Sequence, residues 1–183
     1  MDGDTPPGVD WPAEAVEQLD WHWRNLLRPR FDGLTDEEYL WEPAPGCWSV
    51  RRRADGTFGR DGARPEPDPP PLTTIAWRIG HLVVDILGGR AARHFGGPPV
   101  TAQDWSFGGT AAAGLGQLDE AYDRWTRGVR ALGPEDWARP CGPAERYHPD
   151  APMAALVLHI NREALHHSAE IALLRDLYRA GAR

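Results

Sequence analysis

The residues able to do chemistry gather in one stretch, Leu156 to Tyr178, which reads LVLHINREALHHSAEIALLRDLY. Alternating steps of three and four from Met153 visit Leu156, Ile160, Glu163, His167, Glu170, Leu174 and Leu177. Both ends of that seam are apolar and its middle is not. Side chains four apart on a helix lie one above the other, so Glu163 and His167 stand where two ligands of one metal ion would stand. Buried bare, such a pair would cost several kcal/mol, so on a core-facing seam it must be paired, protonated or ligated. On a solvated face the same pair is ordinary and contributes only about 0.3 kcal/mol. The helix by itself leaves both readings open. His159 lies one further step of four back from Glu163, and His166 points partly sideways.

A third ligand would have to come from elsewhere, and His81 is the candidate. Trp77, His81 and Val84 form a stripe beside the apolar stripe of Ile75, Ile79, Leu82 and Ile86. Alone, a histidine among such neighbours is more often a satisfied core residue than a ligand. Cys47 and Cys141 make neither a metal spacing nor a disulfide framework, so each is expected as a reduced thiol and neither as a nucleophile.

The elements that must position these groups follow from apolar periodicity and its breakers. Helices are expected near residues 13–29, 73–95, 111–132 and 152–180. The last contains no Gly or Pro between Met153 and Ala180. Thr35-Asp-Glu-Glu38 is a capping-box sequence for a short turn. Residues 51–71 are Gly, Pro and charge, and are expected as a surface loop insertion. No strand-period segment exceeds a few residues. The fold class expected is all-α: an antiparallel four-helix bundle with long connecting loops, as one domain over residues 1–183. Such bundles build metal sites from side chains on facing helices. The faces of His81 and of Glu163 with His167 are the two polar intrusions that could meet.

At 183 residues the chain is long enough for a proper core. Its net charge of −7 argues against nucleic acid as a partner. No run of eighteen apolar residues argues for a membrane span. The acidic start, MDGDTPPGVDWP, lacks a signal pattern, so the cytoplasm is the expected location. The expected partners are a small-molecule substrate and a second copy of the chain.

The order of motifs resembles a known family over nearly the whole chain. A first helix is followed by the Thr35 turn and Trp48-Ser49-Val50, then by Ile79-Gly80-His81-Leu82. The last helix carries His159-x-x-x-Glu163-x-x-His166-His167-x-x-Glu170. This pattern is similar to the DinB/YfiT-like four-helix bundle superfamily. Within it, the pattern looks closest to the branch of mycothiol-dependent maleylpyruvate isomerase and related thiol S-transferases. The resemblance implies a divalent metal, zinc or nickel, held by one His of the second helix and two residues four apart on the last. By position those ligands are His81, Glu163 and His167. Many members carry His where Glu163 stands, and the carboxylate keeps the ligand count and suits zinc. The 51–71 insertion has no counterpart in the family pattern.

Three protein ligands would leave a fourth position open, as catalytic zinc sites do. A low-molecular-weight thiol such as mycothiol would be nucleophilic there near neutral pH. The implied activity is thiol S-transfer, or thiol-dependent isomerisation, of a small electrophile. His159 and His166 could then orient ligands or handle protons. The alternatives are a non-catalytic metal-binding module with a stress-related or regulatory role, and a helical protein with a structural Glu–His pair.

Overall fold

The computed structural model describes residues 8–146 and 148–181. The ends of the expected domain, residues 1–7 and 182–183, lie outside the described residues. Four long helices carry the core. The first, α1 (residues 11–30), starts on Asp10, whose side chain accepts from the Ala13 amide at 3.1 Å, and has Pro12 in its first turn. After Trp11–His22 it widens into a π-helical segment, Trp23–Leu27, and ends in the turn Arg28–Arg30. The wide segment accommodates Pro29, whose ring would clash with a carbonyl four residues back in a regular helix.

The short helix α2 (Asp36–Leu40) is capped by Thr35, whose hydroxyl accepts from the Glu38 amide at 3.2 Å. The reciprocal half of that capping box is not made by Glu38, which turns inward to Arg175 of the last helix. A hairpin follows: β1 (Val50–Arg52) pairs antiparallel with β2 (Phe58–Arg60), Val50 opposite Arg60. The stretch expected as one surface loop therefore divides in two. Residues 50–60 are a hairpin seated on the body, with the Phe58 carbonyl accepting from the Phe107 amide at 3.0 Å. Residues 63–70 are exposed chain.

Helix α3 (residues 75–95) starts on Thr74, whose hydroxyl accepts from the Trp77 amide at 3.2 Å. It runs Ile75–His81, widens at Leu82–Leu87, and continues Gly88–Phe95. The widened segment explains the Gly88-Gly89 pair. A Cβ at Gly88 would lie 2.5 Å from the Val83 carbonyl oxygen, and one at Gly89 would meet the Val84 carbonyl. Helix α4 (Ala111–Arg130) and helix α5 (Met153–Arg179) complete the bundle. The helices form an antiparallel all-α bundle in which α3 packs on α4 and α5, and α1 packs on the same two from the other side.

One apolar cluster fills the interior, with Phe31, Ile75, Ile79, Leu82, Leu118, Trp125, Leu156, Ile160 and Ile171 among its members. Trp23 is 6% exposed and Trp21 is 53% exposed, so the inward face of α1 runs through Trp23. On α5 the expected seam holds from Met153 to His167 and then departs. Ile171 and Arg175 are buried, Leu174 is half-buried, and Leu177 is exposed. A three-and-four seam repeats every 3.5 residues, whereas an α-helix turns every 3.6. The seam therefore drifts by about 20° per heptad around a straight helix.

Candidate metal centre

Helix α3 presents His81 at the last residue before its widened segment. The ring stacks against Trp77, with centroids 5.4 Å apart and planes 15° apart. Its Nδ1 lies 2.9 Å from a carboxylate oxygen of Asp85. The same oxygen accepts from the Arg60 guanidinium at 2.5 Å. Arg60 comes from strand β2, and its cation sits 4.8 Å over the Trp77 ring and 5.4 Å from that of Phe107. Gly80 admits that phenyl group, because a Cβ there would stand 2.8 Å from it. The hairpin thus fixes Asp85, and Asp85 fixes the rotation of His81.

Helix α5 presents His167, which is buried. Its Nδ1 lies 2.7 Å from Glu170 Oε2, while its Nε2 faces Glu163 Oε2 at 3.5 Å. Arg78 of α3 reaches the Glu170 oxygen at 3.1 Å and lies 3.4 Å from Nδ1. The rings of His81 and His167 meet at a centroid distance of 4.5 Å and an angle of 88°. The two helices therefore bring together an imidazole pair that lies far apart in sequence.

Burial is the largest influence on His167 and pushes its imidazole below the ordinary range; its bond to Glu170 opposes this, and the charges of His81 and Arg78 add to the lowering. Burial therefore favours the neutral form of the ring. Its one proton then belongs on Nδ1, which faces a carboxylate, and the lone pair belongs on Nε2. That lone pair faces a second carboxylate, Glu163, with no proton between them. At 3.5 Å and acceptor to acceptor, this is not a hydrogen bond. A cation between them would resolve the contact. Asp85 is itself held below the ordinary carboxyl range: burial raises it, but the hydrogen bond from His81 and the Arg60 charge more than offset that rise. A carboxylate that fixes Nδ1 and leaves Nε2 to a metal is the usual support of a metal-binding histidine, and both imidazoles have one.

Among the described residues, the ligand atoms that gather most tightly are those of His166, His167 and Glu170, all within 4.8 Å of one another. This cluster could hold a divalent metal ion. Glu170 of this cluster meets His167 on its Nδ1 side, where Arg78 places a positive charge. His81, Glu163 and His167 do not form such a group; Glu163 Oε2 faces His167 Nε2 at 3.5 Å, and its Oε1 faces His159 and Arg162, each at 3.5 Å. His166 is exposed on the outer flank, 3.5 Å from Glu170.

The sequence reading missed Asp85, Arg78 and Arg60. Asp85 and Arg78 stand four after and three before His81, a helical spacing that places them beside it. Arg60 carried no signal, since only the hairpin's docking brings it in.

The fold is an all-α bundle, and its last helix carries a His/Glu cluster that could hold a metal ion. The profile of the DinB superfamily matches residues 18–171, and the chain belongs to that superfamily. No curated protein and no solved structure shows a significant match to the chain. No helix among the described residues is long and apolar enough to cross a membrane.

Proposed function

We propose that His81, Glu163 and His167 hold one divalent ion, zinc by the chemistry of the donor set, and that the protein is a thiol S-transferase or thiol-dependent isomerase. The observation that supports this best is the meeting of His81 and His167 at 4.5 Å, each with its Nδ1 held by its own carboxylate. Two imidazole nitrogens and one carboxylate are a donor set of catalytic zinc. When bound, such an ion supplies a positive charge that makes a coordinated thiol a thiolate near neutral pH.

The chain's own residues do the rest. Asp85 and Glu170 orient the two rings. Burial favours the neutral form of His167, the form competent as a ligand. Arg78 puts positive charge on the Nδ1 side of His167 and thereby favours its Nε2 as the metal-facing atom. The thiol comes from outside, because Cys47 is buried and the Cys141 thiol is pushed up by burial and by Glu145. A low-molecular-weight thiol of the mycothiol type is the proposed co-substrate.

Metal content by elemental analysis is the test. Zinc should be stoichiometric in the wild type, mostly lost in His81→Ala and His167→Ala, and reduced in Glu163→Gln. A second reading follows from the tight grouping of His166, His167 and Glu170: a non-catalytic metal-binding module using those three. Under it, His166→Ala would remove the metal and His81→Ala would not. Stoichiometric metal that survives substitution of His81, Glu163 and His167 would overturn the first reading.

A further inference from the structure

Helix α5 carries a second seam, on the side away from the core. Steps of four and three from Leu158 visit Arg162, Leu165, Ala169, Ala172 and Asp176. Leu158, Arg162, Ala169 and Asp176 are exposed, and Leu165 and Ala172 are half-buried. A solvated helix face is ordinarily polar, and a helix that is apolar on both sides is ordinarily covered on both. Helix α1 extends the patch. Among the described residues nine large hydrophobic side chains are exposed, and six of them belong to α1 or α5. Trp11 and Leu158 line a groove of about 910 Å³ together with Trp137 and Ala154. Contiguous apolar surface of this kind marks an interaction site. The residues before Gly8, MDGDTPP, are poorly suited to cover it, with Met1 as their one large apolar side chain and two carboxylates.

The charges on the face say what does suit it. Arg162 stands near one end of the outer seam and Asp176 at the other. Two copies of α5 laid in the same direction would set arginine against arginine and aspartate against aspartate. Laid antiparallel about the middle of the seam, each Arg162 comes within about one helical turn of the other copy's Asp176. Asp176 is held by Arg30 at 2.6 Å, and Arg162 lies 3.5 Å from Glu163, so signs alternate across the contact from Arg30 through Asp176 and Arg162 to Glu163. At the centre, Leu165 of each copy meets Ala169 of the other, a large side chain against a small one.

Helix α1 fits the same axis. Asn161 bonds to the Ala15 carbonyl and Arg175 to that of Arg30, so an α1 residue lies level with the α5 residue 146 or 145 positions on. Trp21 is therefore level with His166 and His167, midway along the outer seam, and it is exposed. On a two-fold axis through that point Trp21 meets its own copy, as a self-complementary interface requires. Two adjacent helices from Leu158 to Asp176 present a face about 27 Å by 20 Å. With its rim, that is the scale of the roughly 800 Å² per partner in a standard interface.

We propose that the α1/α5 face is the interface of a two-fold dimer of this chain, with α5 antiparallel to α5 and Trp21 at the axis. The proposal is independent of the metal reading.

Sedimentation equilibrium of the whole protein tests it. The wild type should run at twice the mass of one chain. Ala169→Arg and Trp21→Glu, both exposed positions, should raise the dimer Kd at least about a hundredfold by placing like charges at the axis, with circular dichroism unchanged. Leu72→Glu, an exposed apolar position outside both helices, should remain a dimer. In a Cys141→Ser background, mild oxidation should cross-link Trp21→Cys to its own copy and leave Glu14→Cys uncross-linked. A wild type that stays monomeric at about 100 μM overturns the proposal and leaves the face to a different protein. A dimer that persists in folded Ala169→Arg and Trp21→Glu overturns it too, by placing the interface elsewhere. Cross-linking through Glu14→Cys and not through Trp21→Cys overturns the axis.

Discussion

At the scale of single residues, the centre depends as much on what holds the imidazoles as on the imidazoles. Arg60 and Asp85 touch no proposed ion, yet they set the rotation of His81. Removing such supports weakens metal affinity by about ten- to a hundredfold in comparable sites. Arg60→Ala and Asp85→Asn should do the same in chelator competition, with helical content unchanged by circular dichroism. Full affinity in both variants would make the hairpin contact incidental. A different carboxylate contributes to acid stability. Asp20 is buried, and burial pushes its carboxyl up, but the Tyr122 hydroxyl and the charges of Arg130 and Arg24 more than offset this and hold it below the ordinary 3.8. A carboxylate lowered on folding stabilises above its unfolded pKa and loses that contribution as pH falls through its folded value. Asp20→Asn should therefore be less stable than the wild type at neutral pH, with the gap closing below about pH 4 in acid titrations followed by circular dichroism.

At the scale of elements, the widened turn of α3 reverses a familiar rule. Replacing a helical Gly by Ala ordinarily stabilises by about 1 kcal/mol. At Gly88 the new methyl would stand 2.5 Å from the Val83 carbonyl, so Gly88→Ala should destabilise by about 1–3 kcal/mol in urea melts. A gain in stability would mean that the segment is regular helix in solution. This element also marks a limit of sequence reading. The four long helices were legible, because runs such as Leu118, Tyr122, Trp125 and Val129 repeat at the helical period. The polar seam of Glu163 and His167 was legible for the same reason, as was the prospect that it faces His81. The π-helical segments were not, since Leu82, Val83, Val84, Ile86 and Leu87 are apolar all round and carry no period that a widened turn could disturb. Nor was the hairpin, whose three-residue strands are too short for alternation to declare itself.

At the scale of the whole molecule, one charged pair joins three elements. Arg175 and Glu38 are both buried, with 2.9 Å between Nε and Oε1. Arg175 also donates to the backbone carbonyls of Arg30 and Asp32, the latter at 2.7 Å, where α1 ends. Breaking a buried pair from one side costs about 3–5 kcal/mol when the remaining charge is uncompensated; here Arg179, whose Nε lies 3.3 Å from the same Glu38 oxygen, keeps the loss at the lower end of that range. Arg175→Met should lose stability on that order in denaturant melts, and Glu38→Leu with Arg175→Met should recover part of it. Equal losses in single and double variants would show that the carbonyl contacts matter more than the charge. Charges read from sequence fall by default on solvated faces, and nothing local distinguishes Arg175 from its exposed neighbour Arg179.

That pair spans 137 positions, and Arg78 lies 89 positions from His167. A ribosome makes Glu38, Arg60 and His81 well before it makes α5. Through most of synthesis Glu38 has no Arg175, and the groove between α1 and α3 stands open. A zinc finger can fold around its ion because its ligands are neighbours in sequence; an ion held by the proposed ligands His81 and His167, 86 positions apart (167 − 81), could not seed the fold. It would be captured last, after α5 has docked, so supply of metal would set how much finished protein is loaded and not how much chain folds.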